Sequence, residues 1–319
     1  MALFLTEHDV RQVLDMPMAL AAVESAHLSL SSGQASDTPR ARTRLPQTAL
    51  HILQGGLPAE GVLGYKAYTS NRSGNRFHVH LFDAASGALL AILEADYLGM
   101  MRTGAASGVA AKHLARADAR VAGVIGCGWQ AEGHVEAICT ALPGLETVKV
   151  FGRKKDRLDA FCARLQPRLR QKLVAADSAE ATVRGSDLVG TVTTAADPVL
   201  EAEWLEEGVH INAAGANALI RRELPEAAVR RCALVCVDTV ATALAEAGDL
   251  LPLLEKGRLQ PRQLVELGDV IAGRALGRQS AQEITLFESQ GLAVQDLAVA
   301  VRVVSAARAL GLGSSLPMA

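Results

Sequence analysis

Aromatic residues are scarce. Phe, Trp and Tyr together make up 3% of the 319 residues, too few to furnish base-stacking platforms or the aromatic belts of a membrane interface. A surplus of charge is missing too: 32 Lys and Arg stand against 34 Asp and Glu, a formal net charge of −2. Nothing in that balance attracts nucleic acid or an anionic membrane. The five cysteines (Cys127, Cys139, Cys162, Cys232, Cys236) are odd in number and lack CxxC or zinc-knuckle spacing. Free thiols in a reduced, cytoplasmic setting are expected from them, not a disulfide framework. Every long apolar stretch is broken by charge, and Met1–Leu5 passes at once into Thr6-Glu7-His8-Asp9, so neither a bilayer span nor a signal peptide is expected. There is no HExxH, no clustered Cys/His and no carboxylate cage to argue for a metal, and no Gly-x-Ser-x-Gly elbow to argue for a hydrolase.

What is present is a folding chain: half of its residues are hydrophobic and 21% are charged. That composition excludes a disordered protein, and the length suggests two domains. Thr6 with Asp9 reads as a capping box, and Pro17 suits the first turn of a helix ending before Gly33. The period then changes to that of strands at Leu50–Leu57, Val62–Thr69, Arg76–Phe82 and Leu89–Glu94, the last two joined by a hairpin at 83–87. Ala95–Ala117 reads as a helix of small residues. From Ala119 short apolar runs alternate with helices: Arg120–Ile125, Thr147–Phe151, Leu173–Ala175, Leu188–Val192, His210–Ala213 and Leu234–Val237, with helices such as Gln130–Ala141 and Asp156–Leu169 between them. Nearly continuous apolar strands separated by helices predict a parallel sheet covered on both faces. Ile284–Glu288 reads as one more strand and Ala293–Leu310 as a final helix. The fold class expected is α/β, with an α+β domain of antiparallel sheet over residues 1–117, joined by 293–319, and a Rossmann-type domain over 118–292.

The strand at Val121–Ile125 runs into Gly126-Cys-Gly128-Trp129-Gln130-Ala131 and then a helix. Gly126 permits the tight turn, Gly128 lets backbone approach a pyrophosphate, and Ala131 is a small residue where helix meets strand. The helix N-terminus then receives the diphosphate. In such a fold an acidic residue about 20 residues on holds the adenosine ribose. Here the next strand ends in Gly152-Arg153-Lys154-Lys155. A guanidinium and an ammonium at that tip suit a 2′-phosphate, which favours NADP(H) while leaving NAD(H) open. Strand ends should line the nicotinamide, which marks Thr193, Thr194 and Ala214 on Thr191–Ala195 and Asn212–Gly215, with Asp238 a further strand end.

Read together, Gly64-Tyr65-Lys66-Ala67-Tyr68, Met101-Arg102-Thr103-Gly104-Ala105-Ala106-Ser107, the Gly126–Ala131 turn and Thr285-Leu-Phe-Glu-Ser289-Gln-Gly291-Leu-Ala-Val-Gln-Asp296 resemble the ornithine cyclodeaminase/mu-crystallin family along essentially the whole chain. The resemblance implies a homodimer whose front sheet carries the substrate site and subunit contact, with Thr103, Trp129 and Gln130 joining the cofactor residues. It implies chemistry on small amino or imino acids. Lys66 and Arg102 match the carboxylate-binding positions. Arg42, 24 residues before Lys66, matches a third, and Arg40 and Arg44 flank it with the same alternation. Lys66 is also the expected proton donor, its pKa lowered by Arg102 and a pocket of low dielectric.

Two departures from the cyclodeaminase pattern bear on the reaction. Asn217, placed by the following Arg222-Glu223-Leu224, stands where cyclodeaminases carry an acid/base aspartate, and an amide cannot accept a proton. His78 stands where a small hydroxyl residue is expected, and it is a further acid/base candidate. His78 and His80 also alternate as ordinary polar residues of one strand face. The missing aspartate and the basic strand tip together favour a ketimine reductase that sends hydride to the C=N carbon of pyrroline-2-carboxylate or piperideine-2-carboxylate. The alternatives are an ornithine or lysine cyclodeaminase with bound NAD, an amino-acid dehydrogenase, and a non-enzymatic binding protein like mu-crystallin.

Overall fold

Thr6 closes the predicted capping box: its hydroxyl accepts from the Asp9 N–H and the Asp9 carboxylate accepts from the Thr6 N–H at 2.9 Å. The next helix, Met16–Ser31, is capped by Asp15 with Pro17 in its first turn. These local signals act in a computed structural model that describes residues 1–317. Two units emerge, residues 1–102 with the chain from Gly291 onward, and residues 103–290. The division falls inside the helix Asp96–Leu114, after Arg102, where the change of period had suggested residue 118.

The first unit holds β1 (Ala2–Leu5), β2 (Ser36–Arg44), β3 (Thr48–Leu57), β4 (Val62–Asn71), β5 (Gly74–Asp83) and β6 (Leu89–Glu94). Strands β2 to β6 pair antiparallel in sequence, with β5 and β6 joined across the expected hairpin, and β1 lies parallel to β6. The sequence reading omits β1 and β2. Strand β2 has no apolar alternation because it is an edge strand held by backbone pairing. Pro39 sits in its bulge between Thr38 and Ala41, a place where the missing N–H costs no ladder bond.

The second unit contributes β7 (Val121–Ile125), β8 (Thr147–Phe151), β9 (Lys172–Ala175), β10 (Leu188–Thr191), β11 (His210–Ala213), β12 (Leu234–Val237), β13 (Leu264–Glu266) and β14 (Thr285–Glu288). All pairings are parallel, in the order β13-β12-β14-β11-β10-β7-β8-β9. Every residue of β10, β11 and β14 is buried, as expected of strands covered on both faces. The chain runs outward from β7 to β9 and then returns to lay β10 on the other side of β7. The carboxyl ends of β7 and β10 therefore flank a topological switch point, where open α/β sheets bind ligands. The helix expected over 156–169 stops at Leu165, and Pro167 instead lies in a short 3₁₀ turn.

Beyond residue 290 the chain belongs again to the first unit, with the helix Ala293–Ala309 and β15 (Ser314–Leu316), which pairs antiparallel with β1. That helix packs on β3, β4 and β5 and against the helix Met16–Ser31. Leu297, fully buried on it, presses against Gly64, where a Cβ would lie 3.1 Å from a Leu297 methyl. Truncating Leu297 to alanine is expected to destabilise the protein by about 2–5 kcal/mol through lost burial and a residual cavity. Urea unfolding of the two proteins measures the difference.

Candidate active site

In the second unit, β7 ends at Ile125 and the chain turns at Gly126, whose φ of +128° and closeness to Val192 (a Cβ would lie 2.3 Å from its carbonyl oxygen) require glycine. Gly128 is the N-cap of the helix Trp129–Ala141 and gives it no side-chain cap, while a Cβ on Gly128 would meet nothing within 4 Å. An uncapped helix N-terminus behind a bare backbone cradle is a ready anion site. Ala131 lies wholly in the core beneath it.

The cradle opens on a cavity of about 590 Å³. Gly126, Gly128, Arg153, Lys154, Thr193 and Thr194, all marked from the sequence, line it. No carboxylate stands at the end of β8; Arg153 and Lys154 follow Gly152 there, and Arg157 joins them. Sequence reading missed Arg157, which lies in the first turn of the helix Lys155–Leu165 that follows Arg153 and Lys154. Other marked residues lie off this lining. Trp129 and Gln130 open the helix, Thr103 is half-buried in Asp96–Leu114, and the Ala214 N–H donates to the Thr191 carbonyl at 3.0 Å. The donor set fits a nicotinamide dinucleotide: a diphosphate on the cradle, its adenosine end among cations, its other end along the loop after β10. Among the described residues no group of three or more His, Cys, Asp or Glu is placed to hold a metal ion.

The first unit assembles a different kind of site. Lys66 on β4 and Arg102 on its helix are buried, and one oxygen serves both. Asp296 Oδ1 accepts from Lys66 Nζ at 3.0 Å and from Arg102 Nε at 3.0 Å. Arg102 Nη1 also donates to Gln295 Oε1 at 3.0 Å, and Gln295 Nε2 meets His27 Nε2 at 3.0 Å. Lys66 Nζ stands 5.2 Å from the centre of the Phe77 ring. Burial, and then the charge of Arg102, push the Lys66 ammonium down from 10.5 to about 8, against the opposing pull of Asp296. Two buried cations on one carboxylate leave a formal surplus of one positive charge, a match for a monocarboxylate. Asp296 ends the last of the quoted motifs, yet its role was invisible in the sequence because its partners lie 230 and 194 residues away.

The remaining candidates sort by strand face. Arg42 lies half-buried on β2 opposite His51, which stacks on Tyr68. Arg40, which flanks Arg42 with the same alternation, lies in the bulge of β2 6.0 Å from the Tyr68 ring, and its charge adds to that of Arg102 on Lys66. The bulge leaves Pro39 and Arg40 together opposite Leu53, whose partner on β4 is Lys66. His78 pairs with Ala67 and Lys66 with Val79, so His78 lies on the other face of the sheet from Lys66. His80, on the same face as His78, stacks on Tyr65. The structure does not bring His78 to the proposed proton donor. Asn217 is half-buried in the loop after β11.

Comparison with known proteins identifies the family. A profile of the ornithine cyclodeaminase/mu-crystallin family matches residues 1–310. A Δ1-pyrroline-2-carboxylate reductase of Bacillus cereus is 34% identical over 326 aligned positions, covering 98% of this chain and 99% of its own. The structure of Thermococcus litoralis Δ1-pyrroline-2-carboxylate reductase in complex with NADH and L-proline superposes with a TM-score of 0.94 at 30% identity, over 98% of this chain and all of that one. An archaeal alanine dehydrogenase dimer with bound NAD gives 0.92 at 32% identity, over 99% of both chains. The glycine turn, the basic pair on one carboxylate and these matches along the full length have one consequence: this chain belongs to the ornithine cyclodeaminase/mu-crystallin family.

Proposed function

We propose that this protein reduces small cyclic imino acids, Δ1-pyrroline-2-carboxylate or Δ1-piperideine-2-carboxylate, at the C=N carbon beside the carboxylate. The observation that carries this reading is the buried Lys66–Asp296–Arg102 cluster, in which a cation surplus is combined with an ammonium poised to release its proton. Reduction of an imine consumes one hydride and one proton. A nicotinamide dinucleotide, when bound, would supply the hydride. Arg102 and Lys66 hold the carboxylate, and the Lys66 Nζ, protonated at neutral pH with a pKa of about 8, donates to the imine nitrogen. Asn217 has no basic atom with which to strip a diamino acid of its ammonium proton, so net reduction is favoured over cyclodeamination. The Bacillus and Thermococcus relatives, reductases by name, support the same reaction.

Arg153, Lys154 and Arg157 around the cavity support NADP(H) as the preferred carrier, since an arginine fork grips a 2′-phosphate bidentately. A pair of chains is the natural assembly. The face of the first sheet opposite Lys66 carries Leu50, Ile52, Leu63, Tyr65, Phe82 and Ile92, with Leu50 39% and Leu63 45% exposed, an apolar patch of the sort that buries against a second copy.

The direct test is oxidation of NADPH and NADH in the presence of each imine, with pyruvate plus ammonia and ornithine as comparison substrates. Turnover with the imines is expected. Its absence with both cofactors, or faster ammonia release from ornithine, would sink the reading. Lys66→Met is expected to lower kcat by about 10²–10⁴-fold. Because Lys66 must carry its proton to act, wild-type kcat should fall as pH rises through about 8. Asp296→Asn removes the charge that raises the Lys66 pKa, so that fall moves to lower pH, and pH–rate profiles of both proteins check the sign. Arg153→Ser is expected to raise KM for NADPH by roughly 10–100-fold, the loss of one charge-assisted contact, with little change for NADH. Equal effects on both cofactors would count against the 2′-phosphate assignment.

A further inference from the structure

Building on the dinucleotide reading of the cavity, we infer that Glu223 is a positioning residue whose buried carboxylate ties the loop walling that cavity to the loop that carries Asn217. Its Oε1 accepts from the Thr193 N–H at 2.6 Å and its Oε2 from the Gly215 N–H at 2.7 Å. Its own carbonyl accepts from the Val199 N–H at 2.8 Å. Thr193 and Val199 line the cavity, and Gly215 begins the stretch that leads through Asn217 back to Glu223. The approach is close enough to dictate sequence: a Cβ on Gly215 would fall 2.4 Å from the Thr193 carbonyl oxygen and 2.5 Å from Glu223 Oε1. One fully buried side chain thus fixes the carboxyl ends of β10 and β11 relative to each other.

The groups behind Glu223 make the clamp responsive to pH. Asp249 Oδ1 accepts from the Glu223 and Leu224 N–H groups at 2.6 and 2.8 Å, and Asp249 shares a hydrogen bond with the buried Glu288. Burial and the neighbouring Asp249, Glu223 and Asp238 keep Glu288 protonated well above the usual carboxylate range. Arg222 is the cation acting on Asp249. Burial raises Glu223 itself to about 7, opposed by its bonds from Thr193 and Gly215 and helped by Asp249. Both N–H groups donate to the carboxylate, and protonation removes the negative charge that strengthens these bonds, so a protonated Glu223 holds Thr193 and Gly215 more weakly. Ordering of the two strand-end loops, and with it dinucleotide affinity, is coupled to ionisation of Glu223.

The test compares wild type, Glu223→Gln and Glu223→Asp by backbone amide exchange and by fluorescence titration with NADPH and NADH between pH 6 and 8.5. In the wild type, protection of the Thr193 and Gly215 amides, referred to Val189 and Ile211 on the preceding strands, should fall below pH 7, and dinucleotide Kd should rise about 3–10-fold, the order expected from the net contribution of one ordinary hydrogen bond. Glu223→Gln should show low protection and weak binding at all pH values. Glu223→Asp should keep the pH dependence. Exchange at Thr193 and Gly215 that is the same in wild type and Glu223→Gln, or a pH-independent protection ratio in the wild type, overturns the clamp. The wild-type ratio decides the matter alone if Glu223→Gln does not fold. A wild type that binds neither dinucleotide refutes the cofactor reading, while the exchange ratio still judges the clamp.

Discussion

Asp296 Oδ1, shared by Lys66 and Arg102, is the contact on which the chemistry of the first unit depends. Two side chains that would rather be hydrated are held in the interior, where a lone cation is costly and a cation with a fixed carboxylate is tolerable. The single anion between them does not cancel the pair. It keeps an excess of positive charge in place and leaves Lys66 easier to deprotonate than a lysine in water. Gln295, bonded to both Arg102 and His27, fixes the guanidinium plane. In the proposed reaction such a clamp must be rigid, because hydride transfer is steeply sensitive to placement. Anchoring it in the first turn of a buried helix that also packs the sheet supplies the rigidity.

The second unit solves the complementary problem with backbone. The crossing of the chain from β9 back to β10 creates a crevice at the ends of β7 and β10, and glycine at 126 and 128 lets main chain line it. Its polar walls are set from behind by carboxyl groups that never reach the cavity. Glu223 and Asp249 spend their acceptors on backbone N–H groups of the loops after β10 and β11, a way of satisfying buried amides that regular pairing has left over. The consequence is a nest of buried acids whose protonation is set by burial and mutual repulsion.

Much of this was legible in the chain itself. Period alone separates an antiparallel front from a parallel middle, and several strands, such as Leu89–Glu94, Thr147–Phe151, His210–Ala213 and Leu234–Val237, lie where apolar runs place them. The glycine turn and the basic residues at 153 and 154 meet in one cavity as their spacing implies. These features are local: strand burial, turn geometry and helix opening depend on residues a few positions apart. Strand β2 escaped because backbone pairing at a sheet edge leaves no mark on side-chain pattern.

By itself, then, the order of residues determined the two kinds of sheet, the dinucleotide cradle and the identity of Lys66 and Arg102 as the basic pair, because each is written in short-range pattern or motif. Tertiary structure alone decided that Asp296 joins that pair, that a bulge brings the charge of Arg40 to Lys66, that His78 lies on the other face, and that Glu223 ties two strand ends. Charge pairing and hydrogen bonding act through space over a few ångströms, and no spacing along the chain encodes which distant groups the fold will bring that close.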